Sequence, residues 1–200
     1  MESEDDTPRI SIQGARSFGR AARAKADRQV EAVDVADEAG VDRDSLWATM
    51  RRLPAGVTVV TAVSDAGYLG ITVSAFSLAS LDPPLALACI HTDSQIAGAI
   101  QASGGFAVTI LDGRQELVAE MFAGRAPRPD SAFAGLPHRT RLTGAPILEG
   151  GLAWLDCRLA HALPAGDHTI FLGLVVAAGV AAGHDDPLLY FSSQYRRLAP

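Results

Sequence analysis

Seven stretches of the chain are rich in apolar and β-branched residues, and turn formers bound most of them. Residues 56–63 (Gly-Val-Thr-Val-Val-Thr-Ala-Val) predict a first strand, closed by the turn Asp65-Ala-Gly67. A second strand is expected over 69–77, with Thr and Ser on one face, and Asp82-Pro-Pro84 breaks the pattern after it. Residues 85–90 (Leu-Ala-Leu-Ala-Cys-Ile) predict a third, buried strand, and 106–111 a fourth. Residues 152–162 and 169–180 face each other across Leu163-Pro-Ala-Gly-Asp167, a hairpin signature. Residues 188–191 complete the set.

Short helices punctuate the strands. Ser94 is the expected cap of a helix over 95–101, whose Ile96, Ala97 and Ile100 make one apolar stripe. Asp112 and Gln115 have capping-box spacing before a helix carrying Leu117, Val118, Met121 and Phe122, with Gly124 as its stop. Asp44 or Ser45 can cap another helix that ends before Pro54. Seven strands with little βαβ alternation predict a mainly β protein with short helices (α+β), an antiparallel barrel and not a doubly wound sheet.

Composition fits an ordinary globular chain: 48% hydrophobic, 20% charged, formal net charge −6. The acidic balance argues against a general nucleic-acid binder. No stretch reaches the ~18 apolar residues of a membrane-spanning helix, and Met-Glu-Ser-Glu-Asp-Asp is unlike a secretory signal. Cys89 and Cys157, the only two cysteines, sit in apolar stretches, which points to a reducing compartment. The expectation is a soluble, cytoplasmic protein that binds neither nucleic acid nor membrane. Residues 1–44, with seven basic and eleven acidic residues, read as a poorly ordered or helical charged extension, and 45–200 as one domain. A helix that packs on a partner is the rival reading of the extension.

Several catalytic motifs are missing. There is no GxGxxG after a strand, no GxxxxGK[ST] and no GxSxG, and the five histidines have neither HxxxH nor HExxH spacing. No metal site is expected. What stands out is a series of hydroxyls, Thr72, Ser74, Ser77 and Ser80, in otherwise apolar strands; Thr72 and Ser74 share a strand face. Buried hydroxyls need partners, which a polar-edged ligand would supply; a solvated strand face is the plain alternative. Ser94, at a helix start, marks an anion site or a simple cap. His168, beside the hairpin tip, is either a surface side chain or a donor into a pocket at the barrel mouth.

The ordered set Leu53-Pro-Ala-Gly-Val-Thr-Val-Val-Thr61, Gly70-Ile-Thr-Val-Ser-Ala-Phe76, Ser80-Leu-Asp-Pro-Pro-Leu85, Gly104-Gly-Phe-Ala-Val-Thr-Ile-Leu111, Phe122-Ala-Gly124, Gly166-Asp-His-Thr-Ile-Phe-Leu-Gly173 and Pro187-Leu-Leu-Tyr-Phe191 resembles the flavin-reductase-like domain family. The resemblance covers about 150 residues, from Trp47 to Leu198. It implies a Greek-key split β-barrel of the FMN-binding type, usually a homodimer. It also implies an NAD(P)H:flavin oxidoreductase that passes reduced FMN or FAD to a partner monooxygenase, with NADH or NADPH as co-substrate. In family terms Thr72, Val73, Ser74 and Ala75 lie against the flavin, Ser80 and Leu81 help hold it, and Ser94 takes the phosphate. His168, in the Gly-Asp-His motif, meets the nicotinamide. Many members have a second Ser where this chain has Ala75. The alternatives are a flavin-binding barrel or oxidase without reductase activity, and a small interaction protein that docks through its acidic N-terminal helix.

Overall fold

The computed structural model describes residues 40–127, 133–182 and 186–198. Most of the charged extension expected over 1–44 therefore lies outside the described residues, and Asp42–Pro200 forms one compact unit. Its elements begin with α1 (Arg43–Met50), β1 (Ala55–Gly56), β2 (Thr58–Ser64), β3 (Gly67–Val73), β4 (Phe76–Leu81), β5 (Pro84–His91) and α2 (Gln95–Ser103). They continue with β6 (Gly105–Ile110), α3 (Glu116–Phe122), β7 (His138–Thr140), β8 (Pro146–Leu148), β9 (Ala153–Ala165), β10 (His168–Val180), β11 (Leu189–Phe191) and β12 (Gln194–Arg196).

Seven strands form one sheet in the order β3-β2-β6-β9-β10-β5-β4, with every neighbouring pair antiparallel. β3 and β4 are at opposite edges, yet only Ser74 and Ala75 separate them in the chain. From Val73 to Phe76 the backbone can span at most about 11 Å, so the sheet must curl until its two edges meet at this corner. No ladder joins β3 to β4, and the barrel is split instead of closed.

The inside of the curl is filled by Val60, Val73, Ala88, Ile90, Phe106, Val108 and Phe171. α2 plugs it with Ile96, Ala97, Ala99 and Ile100. β2 is buried on both faces, because Val59, like Val57 just before the strand, points outward into a second core with Ala119 and Phe122 of α3, Leu111, Leu148 and Leu188. This explains its unbroken β-branched run, where a half-exposed strand would alternate.

The structure revises several boundaries. The second predicted strand, 69–77, is two strands: β3 ends at Val73 and β4 runs on to Leu81, where a cis Asp82–Pro83 peptide makes the turn. The cap of α1 is Asp42, whose carboxylate accepts from the Ser45 amide at 2.9 Å, in place of Asp44 or Ser45. Ser94 precedes α2 without making a side-chain cap bond. The β9–β10 strands run further than expected, so the turn tightens to Gly166 and Asp167, with Gly166 at φ +63°. At the start of α3 the Gln115 side chain accepts from the Asp112 amide at 3.0 Å, half of the expected capping box; Asp112 spends its carboxylate on Arg114. Gly124, at φ +72°, follows α3 as its stop. The strands β1, β7, β8 and β12, two or three residues each, were not predicted.

Candidate functional site

Among the described residues β3 is paired on one side only, and the sheet's split leaves a groove along it. α3 forms one wall and is held there by two contacts. The Thr72 hydroxyl donates to the Ala119 carbonyl at 2.6 Å. Gly70 lets the Phe122 ring lie flush on the strand, since a Cβ at position 70 would come within 2.5 Å of Phe122 Cε1. The second wall is α1 together with the β11–β12 hairpin.

Three adjoining cavities follow β3 from Leu69 to the Ser74–Ala75 corner, a path of about 20 Å at strand rise. The first, of 270 Å³, lies between Leu69–Ile71, the start of α2 at Ser94–Ile96, and Phe122–Gly124. The second, of 200 Å³, shares Ala123 with it and adds Thr72, Ser74, Arg125 and Tyr195. The third, of 290 Å³, shares Ser74, Trp47 and Tyr190 with the second and is otherwise mainly apolar, with Met50, Leu53, Ala55 and Ala75. One end of the groove is thus a helix N-terminus, the middle carries hydroxyls, and the far end is an apolar slot. Because the Ser94 hydroxyl donates to the His91 carbonyl (2.7 Å), the positive end of α2 has no side-chain cap and is suited to an anion. Such a groove matches a ligand with a flat apolar ring, a polar chain and a phosphate.

In the middle of the groove Arg125 donates to Glu120 at 2.7 Å and to the Tyr195 hydroxyl at 2.8 Å. Hydrogen bonding to Arg125 holds the Glu120 carboxyl below the usual range, and the same bond raises Arg125. Burial, with Glu120 beside it, pushes the Tyr195 phenol up to about 12, so it stays protonated. Among the described residues no group of three or more His, Cys, Asp or Glu side chains is placed to hold a metal.

Thr72, Ser74, Ala75 and Ser94 line this groove, while the buried Val73 side chain points from the same strand into the barrel core. The other hydroxyls leave the series: Ser77 is exposed and bonds to the carbonyl of its neighbour Leu78, and Ser80 accepts from the Asp82 amide in the β4–β5 turn. Ser80 and Leu81 sit at the far end of β4, about 16–20 Å of strand from Ala75, and belong to none of the three cavities in this chain. His168 pairs with His91 in the ladder and packs edge-on against its ring at 5.5 Å. Its Nδ1 lies 2.6 Å from Asp167 Oδ1, a bond that lowers the Asp167 carboxyl. The Ala75 carbonyl accepts from the Cys89 amide, two residues before His91, so His168 stands near the corner of the groove without lining the three cavities. Trp47, Arg125, Tyr190 and Tyr195 are groove residues that sequence reasoning did not single out. The one available signal was Trp47 beside Leu46 and Met50 on a short helix that buries none of its residues.

Comparison with known proteins supplies the context. The chain matches the family described as the flavin reductase like domain over residues 50–199. It is 40% identical over 159 residues to the flavin reductase (NADH) of Kitasatospora aureofaciens, covering 78% of this chain and 82% of that protein. It is 34% identical over 163 residues to HsaB, the reductase subunit of a flavin-dependent monooxygenase of Mycobacterium tuberculosis, covering 81% and 86%. Among solved structures, the NADH:FAD oxidoreductase SgcE6 of Streptomyces globisporus, in complex with NAD and FAD fragments, superposes with a TM-score of 0.73 at 33% identity, covering 81% and 98%.

Proposed function

The chain belongs to the flavin reductase-like domain family, and on that premise we propose that it is an NAD(P)H-dependent flavin reductase, with NADH as the favoured donor, that supplies reduced FMN or FAD to a partner monooxygenase. The observation that carries the reading is the continuous groove along β3, from the uncapped start of α2 to the apolar slot at Ala75. Bound there, flavin supplies the chemistry itself, accepting a hydride at N5 from C4 of the nicotinamide.

The residues of the chain bind, orient and shield. The α2 terminus at Ser94 takes the phosphate. The backbone of Thr72–Ala75 faces the flavin. Since the Thr72 proton is given to Ala119, its hydroxyl can only accept from a ligand. With Ala75 in place of a serine, that position offers only backbone bonds. Asp167, a carboxylate, fixes the proton of the His168 ring on Nδ1 and leaves Nε2 as the face offered to the carboxamide of nicotinamide. No side chain is asked to act as acid or base in the hydride step.

Ser80 and Leu81 enter this reading through a homodimer. Among the described residues β4 is an unpaired sheet edge whose Leu78 and Leu81 are 53% and 81% exposed, a surface that a second copy would cover. No described helix is long and apolar enough to cross a membrane. The two free thiols, Cys89 and Cys157, support a cytoplasmic location.

The test is anaerobic addition of NADH and FMN to the purified protein, followed at the oxidised flavin band. Bleaching of many flavin equivalents per protein supports the reductase. Tight flavin binding with no bleaching by NADH or NADPH would favour the non-reducing alternative.

A further inference from the structure

α1 is physically odd. It has eight residues, too few to persist alone in water, and not one of them is buried. Its apolar residues and the turn after it stay open: Trp47 is 63% exposed, Met50 51% and Leu53 61%. Polar bonds hold it in place. Asp42 caps its start, the Ser192 amide donates to the Arg51 carbonyl at 3.0 Å, and the Arg51 guanidinium donates to the Ser192 carbonyl at 3.4 Å. These bonds pin the helix across the apolar slot from the β11–β12 turn.

That turn forms the other side of the slot. Ser192 (φ 50°) and Ser193 (φ 62°) are the two residues of the hairpin loop, which calls for the left-handed region at both, and both line the slot. An apolar cavity with an unpacked aromatic as one wall and this turn as the other is shaped to take a flat ring. The slot is continuous with the groove through Ser74, Trp47 and Tyr190.

We infer that Trp47, backed by Met50 and Leu53, is the aromatic wall that grips the ring system of the flavin, so that flavin binding completes the packing α1 lacks. This rests on the groove being the flavin site. It predicts a contact to the ring alone, without regard to the phosphate at the other end of the groove.

The test uses the full chain and equilibrium titration of flavin fluorescence with two probes, FMN and riboflavin. Trp47→Ala is expected to raise both dissociation constants by the same factor, roughly tenfold, and Trp47→Phe to restore most of the loss. Met50→Ala should raise both by a smaller factor. Since Trp47 is outside the core, circular dichroism should be unchanged. Unaltered constants for both flavins in Trp47→Ala, with wild type binding FMN, would overturn the inference and leave the groove reading standing. A loss confined to FMN would also overturn it, by placing Trp47 at the phosphate. A change in mass of the assembly at unaltered affinity would overturn it in favour of a second copy seated on α1. Failure of the wild-type protein to bind either flavin would overturn the groove reading and the inference together.

Discussion

Replacing Thr72 by Val removes one hydroxyl and little else: shape, β-branching and strand preference are nearly conserved. The hydroxyl ties β3 to α3 through its 2.6 Å bond to the Ala119 carbonyl. That carbonyl also accepts from the Ala123 amide at 2.9 Å, so the substitution does not orphan it. The cost is therefore that of a net hydrogen bond, about 1 kcal/mol, and not the larger penalty, up to about 3 kcal/mol, of a stranded buried acceptor. For a chain of this size that corresponds to a melting shift of about 2–4 °C. Urea unfolding of wild type, Thr72→Val and Thr72→Ser at constant slope measures it, and Thr72→Ser should recover most of the loss. The same variant removes the one acceptor Thr72 can offer a flavin, so FMN affinity should fall up to about tenfold. A Thr72→Val protein as stable as wild type, or a Thr72→Ser protein as weak as Thr72→Val, would refute the assignment of the hydroxyl.

Three further outcomes follow. Gly173→Ala places a Cβ 2.6 Å from Phe106 Cζ and 2.8 Å from Cys157 Cβ, both in the core, and should cost about 1–3 kcal/mol in urea unfolding. His168→Ala should raise the KM for NADH more than it weakens flavin binding; an unchanged KM would remove His168 from the mechanism. The Asp167 carboxyl is lowered by its bond to His168, so its contribution to stability is complete above the ordinary aspartate range and lost as pH falls through its depressed value. The stability difference between wild type and Asp167→Asn should accordingly shrink below about pH 4.

What could be read from the sequence followed the strength of the local signal. β2 and β6 were legible because a strand buried on both faces is a continuous run of apolar and β-branched residues, β5 because its half-buried face is apolar as well, and the β9–β10 hairpin because Gly166 marks its turn. The β3–β4 corner was hidden: Ser74 and Ala75 carry no turn signature, and the break comes from the sheet curling back on itself, a tertiary cause. Ser94 showed the start of α2, but its hydroxyl's choice of the His91 carbonyl over the helix amides depends on the β5–α2 turn geometry. The evenly spaced hydroxyls suggested one polar face, and only Thr72 and Ser74 share it, because the corner rotates β4 away. Trp47, Tyr190 and Arg125 come to the groove from three distant parts of the chain, a convergence that no local pattern encodes.

If flavin binds in the groove along β3, the ligand must shield that strand from solvent. Hydrogen exchange of the full chain, with and without saturating FMN, tests this directly, since β3 is a sheet edge and α1 is unpacked, and both should exchange readily without ligand. The predicted result is FMN-dependent protection at residues 69–75, 94–96 and 122–125, extending to α1. Protection concentrated elsewhere, as on β7–β8, or FMN binding without protection along β3, would contradict it.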